Sequence, residues 1–285
     1  MSVNIPVAFV KEYSGNIIQL AQQKGSRLRE YCRDEPVSSN MKFVDRIGVS
    51  EVVAKTGRHT GTPPVEVPHS RRRLNTTPYV WKEYIDNEDQ LRSLIDIKSG
   101  YVQSGAMAMG RQMDRTIIAQ LNAAAYEGVD GGTSVALPNA QIIAHGSTSL
   151  TIAKILEAKE ILDAAETDPD ALSIMGVTAQ IVSDLLNTTE IKDADYNTVK
   201  ALAAGQIDTY CGFKFVRTQL FTKVSTERTV FAFKAGAMVF GVGNDVQTKI
   251  DVIPSLDYTT QVFFQMDIGA VRVEDAQVVQ IGCIE

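Results

Sequence analysis

Residues 86–125 read DNEDQLRSLIDIKSGYVQSGAMAMGRQMDRTIIAQLNAAA, and this stretch decides the fold class. Its apolar residues recur at three- and four-residue steps, which is the period of one helix face. That face is formed by Leu91, Ile95, Val102, Ala106, Met109, Met113, Ile117 and Leu121. Asp86 and Asp89 place negative charge on the first turn, where the helix dipole favours it. The stretch predicts one helix of roughly 55 Å, with a bend or an interruption near Gly100.

The residues before this helix change from a helical to an alternating pattern. Ala8 to Tyr31 keeps helical steps and predicts an amphipathic helix, which a polar stretch follows to Asn40. Alternation then predicts two strands, over residues 43–53 and 74–85, that form a long ribbon around a Gly- and Pro-containing loop. Because an isolated hairpin is marginally stable in water, we expect the ribbon to lie on a partner surface.

The residues after the long helix mix both periods. Residues 127–149 predict a loop with one short hairpin. The predicted helices cover residues 151–165, 178–186 and 196–204, and the predicted strands cover residues 171–177, 212–218, 229–233, 237–242, 246–253, 260–266 and 270–284. Periodicity alone therefore indicates a mixed α/β protein with a long hairpin.

Composition narrows the class of protein. The chain is 44% hydrophobic and 22% charged, which is ordinary for a soluble globular protein. Its three cysteines are widely spaced and form no CxxC pair, so we expect a reducing compartment and no disulfide framework. We see neither a secretory signal nor an apolar run long enough to cross a membrane, and we expect synthesis in the cytosol.

Charge is distributed unevenly along the chain. Residues 1–82 contain 13 Lys and Arg against 7 Asp and Glu, a balance of +6, so the remaining residues carry −12. Opposite signs on two parts of one chain favour head-to-tail pairing between copies. Nucleic acid is the competing partner for the basic part, but aromatic residues are not interleaved there as a base-stacking surface requires.

Motifs for chemistry are not evident in the sequence. The three histidines, His59, His69 and His145, fall in predicted loops without a partner at metal-ligand spacing. Gly241-Val242-Gly243 precedes a strand, not the helix N-terminus that holds phosphate. The acidic cluster at residues 163–170 lacks the spacing of a calcium loop. We therefore expect no enzyme activity, no cofactor and no bound metal.

Arg71-Arg72-Arg73 is the sharpest polar feature. Adjacent residues of a strand point to opposite faces, so the three cations cannot all pair within the ribbon. Three interpretations stay open: a solvated run, a contact with carboxylates of a neighbouring subunit, and a phosphate contact.

Four passages in a fixed order carry a resemblance to a known family. They are Pro68-His69-Ser70-Arg71-Arg72-Arg73 with Tyr84, Asp86 and Asp89; Asp96, Tyr101, Gly110-Arg111 and Asp114 with Ile117-Ile118-Ala119; Asp195-Tyr196-Asn197 with Val199-Lys200-Ala201-Leu202, Gly205 and Gly212-Phe213; and Gly269-Ala270-Val271-Arg272-Val273-Glu274-Asp275. Together they resemble the major capsid proteins of podovirus-like tailed bacteriophages, which have the Hong Kong 97-type capsid fold. The resemblance runs from about Phe43 to Ile281.

The resemblance implies an α+β fold with five parts. They are an N-terminal arm (1–40), an extended β-hairpin or E-loop (41–85), the spine helix of a peripheral domain (86–126), an axial domain (127–250) and closing strands that return toward the peripheral domain (251–285). It implies a structural subunit, made in the host cytoplasm, that self-assembles through pentamers and hexamers into an icosahedral head around double-stranded DNA. Expected partners are a separate scaffolding protein, a portal and decoration proteins, with DNA touched only non-specifically and no membrane.

The same resemblance, with the charge pattern, suggests which residues contact neighbouring subunits. The candidates are Arg58, His69, Arg71, Arg72, Arg73, Trp81, Asp86, Asp89, Arg111 and Asp114. Three rival functions stay open: an encapsulin-like nanocompartment shell, an α/β enzyme with an unrecognised site, and a nucleic-acid-binding protein that uses the basic arm.

Overall fold

The computed structural model describes residues 22–55, 57–58, 61, 64–86, 97–165, 168, 170–187 and 209–285. Its α-helices in these ranges are α1 (Ile97–Asn122), α2 (Ile152–Ala164) and α3 (Ala179–Asn187). The strands, in chain order, are β1 (Arg33–Pro36), β2 (Met41–Ile47), β3 (His69–Asn75), β4 (Thr77–Ile85), β5 (Ala125–Glu127), β6 (Thr133–Val135), β7 (Ile142–Ile143), β8 (Ser173–Val177), β9 (Thr209–Tyr210), β10 (Phe213–Arg217), β11 (Lys223–Val224), β12 (Glu227–Lys234), β13 (Met238–Ile253), β14 (Thr259–Arg272) and β15 (Val278–Ile284). The described strands form three sheets.

The first sheet carries the long helix. Its order is β1-β13-β14-β4, with β14 antiparallel to both neighbours. Alternate residues of β14, Val262, Phe264 and Met266, are buried, as the two-residue period of a half-covered strand requires. Trp81 packs edge-on against Phe264 with ring centroids 5.7 Å apart. A Cβ on Gly105 of α1 would lie 2.5 Å from the Phe264 ring, so this glycine permits the close approach of helix and sheet.

The second sheet contains the ribbon, and its pairing corrects the sequence prediction. The order is β2-β3-β5-β6, and β2 pairs with β3 from Met41 opposite Asn75 to Ile47 opposite His69. The strand predicted over residues 74–85 is confirmed as extended chain, but its predicted place in the ribbon is wrong, because residues 77–85 pair with β14. The alternation continues across Thr76 without a break, so the pattern does not show the change of partner.

The third sheet forms the largest part of the core. Its order is β7-β15-β12-β8-β10-β9, with β11 paired to β12. The short central strand β8 is buried along its whole length, and β10 runs parallel to it. Residues of α2 and α3 join the same hydrophobic cluster, through Ile155, Leu162 and Ile181. β13 and β14, which belong to the first sheet, lie in sequence between β12 and β15 of the third sheet. The chain therefore passes from the third sheet to the first and back.

The N-terminal segment and the C-terminal end of α1 differ from prediction. The predicted helix over residues 8–31 is wrong for residues 22–31, where only a 3-10 turn at Arg29–Tyr31 occurs, and its earlier part lies outside the described residues. α1 runs through Gly100 without an interruption and ends at Asn122, short of the predicted Ala125, which lies in β5. Its described length is about 39 Å. The first turn of the predicted helix and the predicted helix 196–204 also lie outside the described residues.

The remaining predictions agree with the structure in type and differ at their ends, most at the first ribbon strand, which was predicted to residue 53 and ends at Ile47. α2, α3, β8 and the short hairpin β5–β6 are confirmed. The two strands predicted over residues 237–242 and 246–253 are one strand, β13, with register shifts between Val242 and Gln247. The strand predicted over residues 270–284 divides into the end of β14 and β15, with a 3-10 turn at Asp275–Gln277 between them.

Cys32 gives a prediction on alkaline stability. Burial raises the pKa of its thiol from an ordinary 9.0 to about 12, and the S–H donates to the Leu28 carbonyl at 3.5 Å. Its contribution to folding is fully present below pH 9.0 and is lost as the pH rises toward 12, because the unfolded chain ionises first. We expect Cys32→Ala to flatten the decline of unfolding free energy with pH, measured by urea unfolding. Equal slopes for both proteins would contradict this assignment.

Candidate assembly surface

The ribbon exposes apolar side chains beyond its strand pair. Gly48 N–H donates to the Pro68 carbonyl at 2.8 Å, just past the end of β2 and β3. Val49 is 89% exposed and Val52 is 99% exposed, and Ile47 is also exposed. No described residue covers them. Exposed apolar groups that lie together mark interaction surfaces, since their burial against a partner is favourable.

The three arginines of the run have three different partners within the chain. Arg71 Nε lies 3.1 Å from Asp45 Oδ1 across the ribbon. The guanidinium of Arg73 lies over the Tyr126 ring, 4.5 Å from its centroid. Arg72 is 1% exposed and turns to the opposite face from both neighbours. The interpretation of a solvated run is therefore wrong for Arg72, which is part of the protein interior.

A charge junction of two buried arginines, Arg72 and Arg272, and two partly buried carboxylates, Glu127 and Asp275, fixes the base of the ribbon. Arg72 Nη2 and Arg272 Nε both reach the carboxylate of Asp275 at 2.5 Å, and Arg72 Nη1 lies 3.4 Å from Glu127. Arg272 is fully buried. One carboxylate therefore ties a ribbon strand to the end of β14.

The same junction reaches the C-terminal end of the long helix. Arg272 Nη1 donates to the carbonyls of Leu121 at 3.1 Å and Ala123 at 3.0 Å, and Nη2 donates to Val135 at 3.2 Å. The last carbonyls of a helix lack partners inside it, and a cation there also complements the helix dipole. Arg272 thus caps the end of α1 at Asn122 and holds the β5–β6 hairpin beside it.

A fully buried carboxylate, Asp114, holds the N-terminal segment on α1, and we call this contact the arm clamp. Asp114 is fully buried and accepts hydrogen bonds from Ser26 Oγ at 2.5 Å, Arg27 N at 3.0 Å and Leu28 N at 3.1 Å. The Gln23 side-chain amide also donates to it. These bonds occupy backbone groups that a helix over residues 22–31 would use internally, which explains why that helix does not form.

Two glycines bring the clamped segment close to the helix. A Cβ on Gly110 of α1 would lie 2.5 Å from the carbonyl carbon of Gly25, and Gly25 has φ +66°, in the left-handed region that favours glycine. One residue along the helix, Arg111 Nη1 donates to Gln22 Oε1 at 2.6 Å. Helix and segment therefore cross in direct backbone contact.

The other predicted contact residues are not brought together with the junction or the clamp. Arg58, His69 and Asp86 are exposed, and Trp81 is half-buried between α1 and β14. His69, Arg71 and Asp45 line a cavity of ≈ 600 Å³ beside the ribbon. Asp89 lies outside the described residues.

Sequence reasoning missed two groups of residues. Arg272, the last residue of β14, and Asp275 form an i,i+3 ion pair. Their spacing could have indicated this local pair, but nothing in the sequence indicates that Asp275 also pairs with Arg72. Val49 and Val52 fell on a predicted strand, where apolar residues are ordinary. Their exposure depends on the absence of a strand partner among the described residues.

The described ranges contain neither a metal site nor a membrane-spanning helix. No three His, Cys, Asp or Glu residues there are grouped as a metal site would require. No helix there is long and apolar enough to span a membrane.

Comparison with known proteins identifies the family of the chain and solved structures with a similar fold. A family model described as phage capsid protein matches residues 5–285. The capsid of cyanophage P-SCSP1u is similar over 98% of this chain and 94% of its own, with TM-score 0.75 and 14% identity. The capsid of Ralstonia phage GP4 is similar over 100% and 98%, with TM-score 0.71 and 9% identity. A structure of Mycobacterium phage Che8 is similar over 96% and 97%, with TM-score 0.70 and 15% identity. No curated protein sequence matches the chain.

Proposed function

The chain belongs to the phage capsid protein family, and from that membership we propose that its copies close into the icosahedral head of a tailed phage around double-stranded DNA. The coarser statement, a structural shell subunit with the fold of phage major capsid proteins, follows from the family and the structural likeness. The predicted α+β, Hong Kong 97-type fold is confirmed in that sense.

The observation that carries the proposal is the exposed apolar ribbon. Val49 and Val52 lie almost entirely outside the described body of the subunit. Interfaces of permanent assemblies resemble a divided hydrophobic core, so this surface is suited to a neighbouring copy. One contact repeated head to tail generates a closed assembly when its rotation closes.

We propose roles for the exposed candidates within that assembly. Arg58, His69 and Arg71 belong to the ribbon, and Asp86 follows β4 in the first sheet; all four lie at positions open to a neighbour. Arg72 and Asp114 act through their own subunit, since both are buried in it. The five-part division at residues 40, 85, 126 and 250 stays a proposal, and within its second part only residues up to Asn75 pair in the ribbon, since β4 lies in the first sheet.

The proposed role is structural and has no catalytic step. A virion location, synthesis in the host cytoplasm, and a scaffolding protein, a portal and decoration proteins as partners complete the proposal. The support for these partners is the resemblance of the sequence to tailed-phage capsid proteins.

Electron microscopy and light scattering test the proposal on the chain expressed alone and with its scaffolding protein. Uniform closed particles, or five- and six-fold capsomers, are expected. The variant Val49→Asp/Val52→Asp should keep its circular dichroism spectrum and fail to close. Val224→Asp is the matched control, because Val224 is 69% exposed in β11, away from the ribbon.

Three outcomes separate the alternatives. A stable monomer of the unmodified chain under both conditions would overturn the shell function. Normal closure of the Val49→Asp/Val52→Asp variant would remove the ribbon from the interface. Particles isolated from the natural source that hold a cargo enzyme instead of DNA would identify an encapsulin-like compartment.

A further inference from the structure

Three arginines from three separate parts of the chain meet at one cavity, which we call the arginine pocket. Arg27 belongs to the segment that the arm clamp holds, Arg111 lies on α1, and Arg217 ends β10. The cavity has a volume of ≈ 570 Å³, and uncharged residues such as Gln219 and Leu220 complete its wall. No Asp or Glu is found among its described lining residues.

In the described part of the chain, none of these three arginines has a carboxylate within salt-bridge distance, although Glu30 lines a neighbouring cavity with Arg27 and Arg217. Arg27 Nη1 donates to the Arg217 carbonyl at 2.7 Å, and Arg111 Nη1 donates to Gln22 Oε1 at 2.6 Å. Both acceptors are neutral. Nη2 of Arg217 is buried and has no hydrogen-bond partner among the described residues. A buried charged donor without an acceptor is costly, so an anionic partner is expected to complete the pocket.

The chemistry of the pocket selects the partner. A guanidinium presents a planar fork of N–H groups that matches an oxyanion with two parallel hydrogen bonds. Two anionic groups could enter the pocket, a carboxylate side chain and a DNA phosphate. The pocket is concave, so a single side chain enters it more readily than the wide backbone of a DNA duplex. Residues 83–285 of each copy carry a net charge of −12, so every copy offers carboxylates in excess of its own cations there.

We propose that the arginine pocket takes a carboxylate side chain from a second copy of this chain when the shell forms. This inference rests on the proposed shell function and names one contact within it. Because Arg27 is placed by the arm clamp, the pocket exists only while the N-terminal segment lies on α1. Docking of the segment and pairing of copies are thereby linked.

The test replaces the two cations that lie on regular elements. Arg111→Gln/Arg217→Gln, in the full chain, should raise the concentration at which closed particles appear by about tenfold or more, as the loss of a buried charge pair does. Its circular dichroism spectrum should not change. Arg115→Gln is the control, because Arg115 is exposed one turn along α1 and does not line the pocket. High NaCl should screen the charge pair, so the concentrations at which the unmodified chain and the double variant form closed particles should become more similar.

A cryo-EM map of unmodified particles provides the second measurement. An Asp or Glu of the neighbouring copy within hydrogen-bond distance of Arg217 is expected. A nucleic-acid phosphate or a carboxylate of the same copy in the pocket would overturn the inference. So would assembly of the double variant at the unmodified concentration, and the shell function would then still stand. Failure of the unmodified chain to assemble would remove both.

Discussion

Replacing Asp275 by Ala is expected to lower the free energy of unfolding of the subunit by about 3–5 kcal/mol. Asp275 is the carboxylate shared by Arg72 and Arg272, whose side chains are almost fully buried. Its removal leaves two cations in the interior, and only Arg72 keeps a nearby carboxylate, Glu127, at 3.4 Å. Breaking a buried pair costs more than the pair contributes, because the desolvation of the remaining charge is no longer compensated.

Urea unfolding of dissociated subunits measures this effect. Glu274→Ala is the matched control, because Glu274 is the exposed neighbour in the chain and should change the unfolding free energy by about 0.5 kcal/mol or less. Arg72→Met/Asp275→Ala should be less destabilised than Asp275→Ala alone, since it carries one buried cation fewer. A loss below about 1 kcal/mol for Asp275→Ala would mean that water reaches the junction and solvates both arginines.

The junction also holds the base of the ribbon in a fixed position relative to α1 and β14. Arg72 lies on the ribbon strand β3, while Arg272 holds the last carbonyls of α1. A displacement of the ribbon base would therefore strain the end of the helix. The exposed segment beyond Gly48 has no such attachment among the described residues. The ribbon thus combines a fixed base with a free apolar end, which suits a contact that must fit neighbours in different positions of a shell.

The local sequence pattern was sufficient for elements that pack within a single core. α2, α3 and β8 were predicted within a few residues, because each pattern depends on neighbours in the chain and on a single core. The C-terminal end of α1 was not predicted, since its last turn is capped by Arg272, whose partner Leu121 lies 151 residues away in sequence. The same holds at Thr76, where two strands in succession belong to different sheets.

Contacts between residues far apart in sequence also determine which candidate contact residues are buried, and the sequence alone does not reveal them. The arginine run was recognisable as the sharpest polar feature, but its three partners were not. Arg72 reaches Asp275 across 203 residues, and nothing in the run distinguishes it from its two neighbours except strand alternation. The burial of Asp114 was also hidden, because an Asp on a helix is usually solvated. Only the fold shows that unpaired N–H groups of another segment arrive there.

Asp114→Ala is expected to release the N-terminal segment from α1 without unfolding the subunit. The change removes the acceptor of Ser26 Oγ, Arg27 N and Leu28 N, and hydrogen bonds to a charged acceptor stabilise by roughly 1.5–3 kcal/mol each. Once free, these donors are solvated by water, so the loss stays local. We expect hydrogen exchange of the Arg27 and Leu28 amides to quicken by about 100-fold, since each 1.4 kcal/mol is about tenfold.

Hydrogen exchange with Arg115→Gln as control distinguishes release of the segment from general destabilisation. Amides of β8 and β12, in the centre of the third sheet, should keep their protection in Asp114→Ala, whereas Asp275→Ala should lower protection throughout the subunit. Unchanged exchange at Arg27 and Leu28 would show that the contact of Gly25 with Gly110 alone holds the segment. Release of the segment would also displace Arg27 from the arginine pocket, so Asp114→Ala should weaken assembly although Asp114 itself is buried within its own subunit.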